Sequence, residues 1–273
     1  MSARDETEAI RSARSLLFVP GDRPDRFDKA VAAGPDVVVL DLEDAVAGHD
    51  KAAARDHLAR WFAAGNSAMV RINAADTPWH ADDLELIREH RPPVMLAKAE
   101  SAEQIDRVGS VVPVVPLVET AAAFAALAQL CGATGVVRMA FGSIDFANQI
   151  GVDPDDRDAL LLHRSMLVLA SAAAGLPAPI DGVTTAFRET GSVTADFEYS
   201  RRLGMGAKLC IHPAQIAAVH TAAAPTDADV EWAREVIRSF DLSNGSAAAV
   251  NGQMIDVPVV ERARRILRTA SAG

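Results

Sequence analysis

Carboxylates gather in this sequence where charge is hard to accommodate. The stretch VVVLDLEDAV (Val37–Val46) begins as an apolar, β-branched run, the composition of a strand buried on both faces, and ends in Asp41, Glu43 and Asp44. Similar runs end in Arg71 and Asn73, in Lys98 and Glu100, and in Glu119, Asp145, Asp181 and His212. Charge of one sign in a low-dielectric place needs a cation, a proton or a water network beside it. A hard divalent cation suits this set, because Mg²⁺ takes oxygen ligands in octahedral geometry, commonly one or two carboxylates completed by waters and substrate oxygens. Glu119 and Asp145 are the candidate ligands, with Asp41, Glu43 and Asp44 orienting waters around the ion. The bland alternative is that each carboxylate caps the helix that follows it.

Other chemistries find less support. Lys98 on a barrel strand is a conceivable Schiff-base lysine, but neighbouring carboxylates would keep it protonated. Cys131 and Cys210 lie far apart in apolar surroundings with no His at ligand spacing, so they read as buried thiols rather than as a zinc site or a disulfide. GSID at 142–145 lacks the second glycine of a nucleophile elbow, and His212 before Pro213 reads as structural.

These residues need a scaffold that brings strand ends together. Eight apolar, β-branched runs are present: SLLFVP (15–20), VVVLDLE (37–43), AMVRIN (68–73), VMLAKA (94–99), VVPLVE (114–119), VVRMAFGS (136–143), PIDGVT (179–184) and AKLCIH (207–212). Segments of helical period separate them, such as TAAAFAALAQLCG and DALLLHRSMLVLASAAAG, the latter stopped by Gly175 and Pro177. Strand and helix alternating eight times predict an α/β fold, a single (β/α)₈ TIM barrel with its chemistry at the C-terminal strand ends. A doubly wound sheet would want a Gly-rich turn after the first strand, where this chain has PGDRPDRF. The expected organisation is a frayed segment over 1–14, a barrel over 15–222, and C-terminal helices with a lid loop over 223–273. Within that extension, helices are predicted at Asp227–Phe240 and Val259–Thr269, joined by SNGSAAAVNGQMIDVP. Its Asp256 stands among apolar residues before Pro258, an odd place for a solvated carboxylate.

Composition narrows the partners. With 27 Lys plus Arg against 37 Asp plus Glu, the net charge is −10 and no long basic run occurs, which argues against nucleic acid. A local pocket of Arg and Lys still permits an anionic small molecule. No apolar run approaches membrane-spanning length, and the first fifteen residues lack an apolar h-region, so the expected location is the cytoplasm.

Taken together, LFVPGDRPDRFDKA, VLDLEDAV followed by Lys51, VRIN, LAKAES, PLVET, AFGSIDF, KLCIHPAQI and GQMIDVPVV resemble the HpcH/HpaI aldolase and citrate lyase β-subunit family, nearer its citrate lyase β-like and malyl-CoA lyase members. The motifs run in family order from about Ser15 to Ile266. The resemblance implies Mg²⁺ held by Glu119 and Asp145, with Glu43 and Asp44 on its waters. It implies that Arg71 holds the 2-oxo acid, with Glu119, Gly142 and Ser143 around the substrate. Phe18, Arg23 and Lys29 would face coenzyme A. Asp256 would act from a lid on an adjacent subunit, in a homotrimer or a hexamer of trimers. Two residues depart mildly from the family pattern: Ala97 stands where a Pro usually precedes the Lys, and Phe146 where Leu is common. The implied reaction is reversible cleavage of a 3-hydroxy-3-carboxyacyl thioester into an acyl thioester and a 2-oxo acid. Two alternatives stay open: a class II pyruvate-type aldolase acting on free hydroxy acids, and a non-catalytic, metabolite-binding subunit of a larger lyase.

Overall fold

The computed structural model describes residues 3–187, 189–242, 248–250 and 253–271. Its strands are β1 (Ser15–Pro20), β2 (Val37–Asp41), β3 (Met69–Ile72), β4 (Val94–Leu96), β5 (Val114–Val118), β6 (Ala140–Phe141), β7 (Ile180–Asp181), β8 (Ala207–Cys210), β9 (Ala248–Val250) and β10 (Gln253–Ile255). The helices are α1 (Ala3–Ser12), α2 (Phe27–Ala32), α3 (Lys51–Ala63), α4 (His80–His90), α5 (Ala102–Gly109), α6 (Ala121–Ala125), α7 (Leu127–Cys131), α8 (Ser143–Ile150), α9 (Arg157–Ala173), α10 (Thr190–Arg202), α11 (Ala214–Ala223), α12 (Asp227–Leu242) and α13 (Val257–Ser271).

Strands β1 to β8 close into a parallel barrel in sequence order, β8 pairing back onto β1 through Leu16↔Leu209. Each apolar run supplies one strand, as expected of a sheet buried on both faces. Alternate residues fill the interior: Leu16, Val39, Met69, Met95, Val115 and Leu209 belong to one buried cluster. The register also sets chemistry at the rim, because Asp41 is the direct neighbour of Arg71 across β2 and β3. The long segment after β5 is two short helices rather than one; Ala126 leaves helical geometry, and no breaker residue in the sequence marks the change.

The N-terminal expectation is corrected. Residues 3–12 form helix α1, and Ile10 and Ala13 are buried in the barrel's inner cluster. Arg138, itself buried, donates to Ile10 O at 3.0 Å and Ala13 O at 2.7 Å, satisfying carbonyls that the helix end leaves open. The physical reason is the apolar spacing of Ile10 and Ala13, which suits a helix laid against an open barrel end.

Asp181 also departs from the rim assignment. While Ile180 joins the inner cluster, Asp181 takes the opposite side of the strand and meets Arg164 of α9 at 2.8 Å and Lys208 of β8 at 3.5 Å.

The chain separates into two compact units, one ending at His220 and the other beginning at Thr221. In the second, α12 and α13 pack through Ala233, Val236, Val260 and Ala263, with Ile255 beside them. Of the loop expected to act as a lid, residues 243–247 and 251–252 lie outside the described residues, while β9 and β10 pair as antiparallel strands. Among the described residues no helix is long and apolar enough to cross a membrane.

Candidate active site

Asp41 ends β2 almost fully buried, at 1% exposure. Its carboxylate accepts Arg71 Nε at 2.7 Å and Arg71 Nη2 at 2.6 Å, a bidentate pair of the strong, planar kind. The same two oxygens accept the amides of Glu43 at 2.8 Å and Ala45 at 3.2 Å. All its acceptor capacity is therefore used, so Asp41 is a clamp for Arg71 and for the turn after β2. It does not orient waters around an ion as its spacing suggested. Arg71 also lies 3.1 Å from Glu43 Oε2, and its guanidinium sits 4.7 Å over the Phe18 ring. Burial by itself would lower the Arg71 pKa, but the charge and hydrogen bonds of Asp41, then Glu43 and Glu119, outweigh it and raise it.

Glu43 is shared between two cations. Its Oε1 accepts Lys98 Nζ at 2.5 Å while Oε2 faces Arg71; Asp44, more exposed, lies 3.9 Å from Lys98. Burial disfavours the Lys98 ammonium, but its hydrogen bond to Glu43 and the charges of Glu43, Glu119 and Asp44 prevail and raise its pKa, which disposes of a neutral Schiff-base lysine. Lys98 has a left-handed backbone, φ +48°, a conformation costing about 1–2 kcal/mol for a residue with a side chain.

Beneath this turn lies a support that spacing alone did not assign. Lys51, in the first turn of α3, donates to Leu42 O at 2.7 Å, Glu43 O at 2.9 Å and Asn73 Oδ1 at 2.8 Å. Asn73 in turn donates to Asp83 Oδ2 at 2.6 Å, and Arg55 holds the other Asp83 oxygen at 3.1 Å. The chain from α4 through β3 to the β2 turn is thus continuous and buried. Burial pushes the Lys51 pKa down against the pull of Asp41, Glu43, Asp83 and Asp44.

Glu119, just past β5, is 1% exposed. Its Oε1 accepts the Lys98 amide at 2.8 Å. A Cβ on Gly142 would overlap its carboxylate, so glycine is required where the β6 end passes over it. Asp145 stands in the first turn of α8, half-buried, and among the described residues no donor reaches its carboxylate. Burial first, then the charges of Glu43 and Asp145, push Glu119 up to about 8 against the favourable pull of Lys98. Ser143 is buried at the start of α8, and a Cβ on Gly182 would overlap its hydroxyl.

The remaining predicted residues are more dispersed. Arg23 and Lys29 are exposed beyond β1, Arg23 ion-paired with Asp25 at 3.2 Å. Phe18 is half-buried and turned to Arg71. Asp256, in the second unit, caps α13: Val259 N–H donates to its Oδ1 at 3.3 Å. His212 accepts the Ala214 amide at 3.1 Å and stacks on Phe187, a structural role. Glu100 is exposed and donates its amide to Gln104 at 2.8 Å.

The donor set can be tested against a metal. Among the described residues no three His, Cys, Asp or Glu side chains converge as a ready-made cage. Two carboxylate donors, Glu119 and Asp145, suit an ion that keeps waters and takes substrate oxygens, and do not fit structural zinc. With every group ionised, five carboxylates, Asp41, Glu43, Asp44, Glu119 and Asp145, against three cations, Lys51, Arg71 and Lys98, leave an excess of two negative charges. One divalent cation balances them.

A closed (β/α)₈ barrel with a clamped guanidinium and carboxylates at its strand ends has the form of a barrel enzyme. The family model described as HpcH/HpaI aldolase/citrate lyase matches residues 14–213, and the chain belongs to that family of lyases. It is 38% identical over 261 residues to a citrate lyase subunit beta-like protein of Mycobacterium tuberculosis, covering 93% of this chain and 94% of that one. It is 31% identical over 271 residues to a (3S)-malyl-CoA thioesterase of Cereibacter sphaeroides, covering 95% of each. The crystal structure of CitE from Mycobacterium tuberculosis in complex with magnesium, acetoacetate and coenzyme A superposes with a TM-score of 0.86 at 36% identity, over 96% of this chain and 99% of that one.

Proposed function

We propose that this chain is a magnesium-dependent carbon–carbon lyase that reversibly cleaves a 3-hydroxy-3-carboxyacyl thioester, of the malyl-CoA, citramalyl-CoA or citryl type, into an acyl thioester and a 2-oxo acid. The observation that carries the reading is Glu119: held by one amide and pushed up to about 8 by burial first and then by Glu43 and Asp145, it keeps a proton that a bound cation would displace. The CitE complex with magnesium, acetoacetate and coenzyme A supports both the ion and the thioester carrier.

Glu119 and Asp145 would hold the ion, which when bound supplies Lewis acidity toward the substrate's carboxylate and hydroxyl oxygens. Arg71, fixed by Asp41 and Glu43, places positive charge where an oxyanion develops as the hydroxyl gives its proton to a nearby water and becomes the carbonyl of the 2-oxo acid. Three of its five N–H groups face Asp41 and Glu43, so the remaining two meet the substrate. Glu43 and Asp44 orient waters, while Gly142 and Ser143 line the oxo-acid pocket. Phe18 flanks Arg71, and the exposed Arg23 and Lys29 suit the phosphates of coenzyme A. Asp256 donates a proton to the α-carbon of the departing acyl thioester, and removes it in the condensing direction. We place this enzyme in the cytoplasm as a homotrimer or a hexamer of trimers, with Asp256 serving an adjacent subunit.

Calorimetric titration of glyoxylate, pyruvate and oxaloacetate into wild type and Glu119→Ala, with and without Mg²⁺, tests the reading. Mg²⁺-dependent binding of one acid, lost in the variant, is expected; binding indifferent to both refutes it. An Asp256→Asn variant with wild-type turnover would remove Asp256 from the scheme. The relatives named (3S)-malyl-CoA thioesterase favour a second reading, hydrolysis of the thioester. Release of a free thiol without a 2-oxo acid would establish it.

A further inference from the structure

We infer that Lys98 is the positioning residue for the carboxylates Glu43 and Glu119, and that its left-handed backbone persists because it lets one residue hold both. Two arms leave Lys98. Its amide donates to Glu119 Oε1 at 2.8 Å, and its ammonium donates to Glu43 Oε1 at 2.5 Å. Among the described residues the only other non-glycine with positive φ is Arg91, at the C-terminal cap of α4, where such geometry is routine and its amide closes on Ile87 O. Lys98 ends no helix, and a lysine has no short polar side chain to favour φ +48° locally. Its conformation is imposed by its surroundings, the situation in which backbone strain gathers at working sites.

The two arms do different things. The amide uses one Glu119 oxygen and leaves Oε2 for the ion. The ammonium, at 36% side-chain exposure, opposes Arg71 across Glu43, so two cations, one on β3 and one in the turn after β4, fix that carboxylate. A single residue thereby couples the proposed metal ligand to the proposed water-orienting group.

This inference rests on the metal-dependent reading above. Lys98→Met removes the ammonium and keeps the strain; Lys98→Gly removes both; Lys98→Arg keeps the charge; all keep the amide. With malyl-CoA as the probe, kcat for glyoxylate release is expected to fall about 10–100-fold in the Met and Gly variants, and to recover in part in Lys98→Arg. Mg²⁺ affinity of the metal-free protein, measured by calorimetry, is expected to be unchanged or tighter in both, because Glu119 keeps its amide and a nearby cation is gone. In the metal-free protein, Lys98→Gly should melt above Lys98→Met. Wild-type kcat in Lys98→Met overturns the positioning role, as does a fall of kcat, Mg²⁺ affinity and melting midpoint together in both variants. Equal midpoints overturn the strain assignment without reference to metal. A wild-type protein that binds no Mg²⁺ instead refutes the functional reading itself.

Discussion

At Asp41 four donors meet one carboxylate: two from Arg71 and one each from the amides of Glu43 and Ala45. An asparagine there turns one acceptor into a donor, which must face either Arg71 or an amide N–H. Asp41→Asn is expected to lower kcat/KM about 10–100-fold by loosening Arg71. Unchanged kinetics would show that Arg71 needs no clamp. Gly142→Ala has a different expected effect: the new Cβ displaces the Glu119 carboxylate, so Mg²⁺ binding seen by calorimetry is lost, and the Mg²⁺-dependent binding of the oxo acid with it. Residues of this kind are legible in the sequence, because a charge closing an apolar run has no solvated explanation. Asp41 itself was legible as a site residue but not in its role, since spacing cannot tell a carboxylate facing waters from one saturated by Arg71. Lys51, Asp83 and Arg55 are less legible still. They sit on α3 and α4, where a charged residue looks like part of a solvated face until the fold turns it inward.

Among elements, the eight barrel strands could be read from β-branched runs of the right length, and the helix over Asp227–Phe240, which runs on to Leu242, from its helical period. Helix α1 escaped that reading: its mixed charges resemble a loose terminus, and only Ile10 and Ala13 mark the buried face. Ile10→Ala should therefore cost about 2–5 kcal/mol of unfolding free energy, measured by urea denaturation. A cost near zero would mean the helix is not docked. Between β7, β8 and α9, Asp181 compensates two buried cations, Arg164 and Lys208. Burial alone would raise its pKa, but Lys208 and then Arg164 outweigh it and hold it below 3.8. A carboxylate lowered in the fold stabilises at pH above its unfolded value, and that contribution disappears as pH falls through the lower folded value. Asp181→Asn is expected to cost about 3–5 kcal/mol at neutral pH by leaving the cations unpaired. The gap to wild type should narrow below about pH 4, and a constant gap would contradict the assignment.

For the molecule as a whole, an excess of two negative charges at the rim ties stability to metal. With free Mg²⁺ a hundredfold above its Kd, one-site linkage stabilises the fold by about 2.7 kcal/mol. The melting midpoint of wild type should rise with Mg²⁺ and return with EDTA, while that of Glu119→Ala stays level. The way the barrel closes also dictates an order of assembly. Leu16 pairs with Leu209, and Arg138 reaches back to Ile10 across 128 positions of chain. During synthesis β1 emerges first yet waits for β8, leaving an apolar edge open to other chains until almost the whole barrel has been made. Closure by such distant pairings is slow. Circular permutants that bring β8 and β1 together early in the chain should therefore refold faster, and aggregate less on dilution from urea, than the natural order.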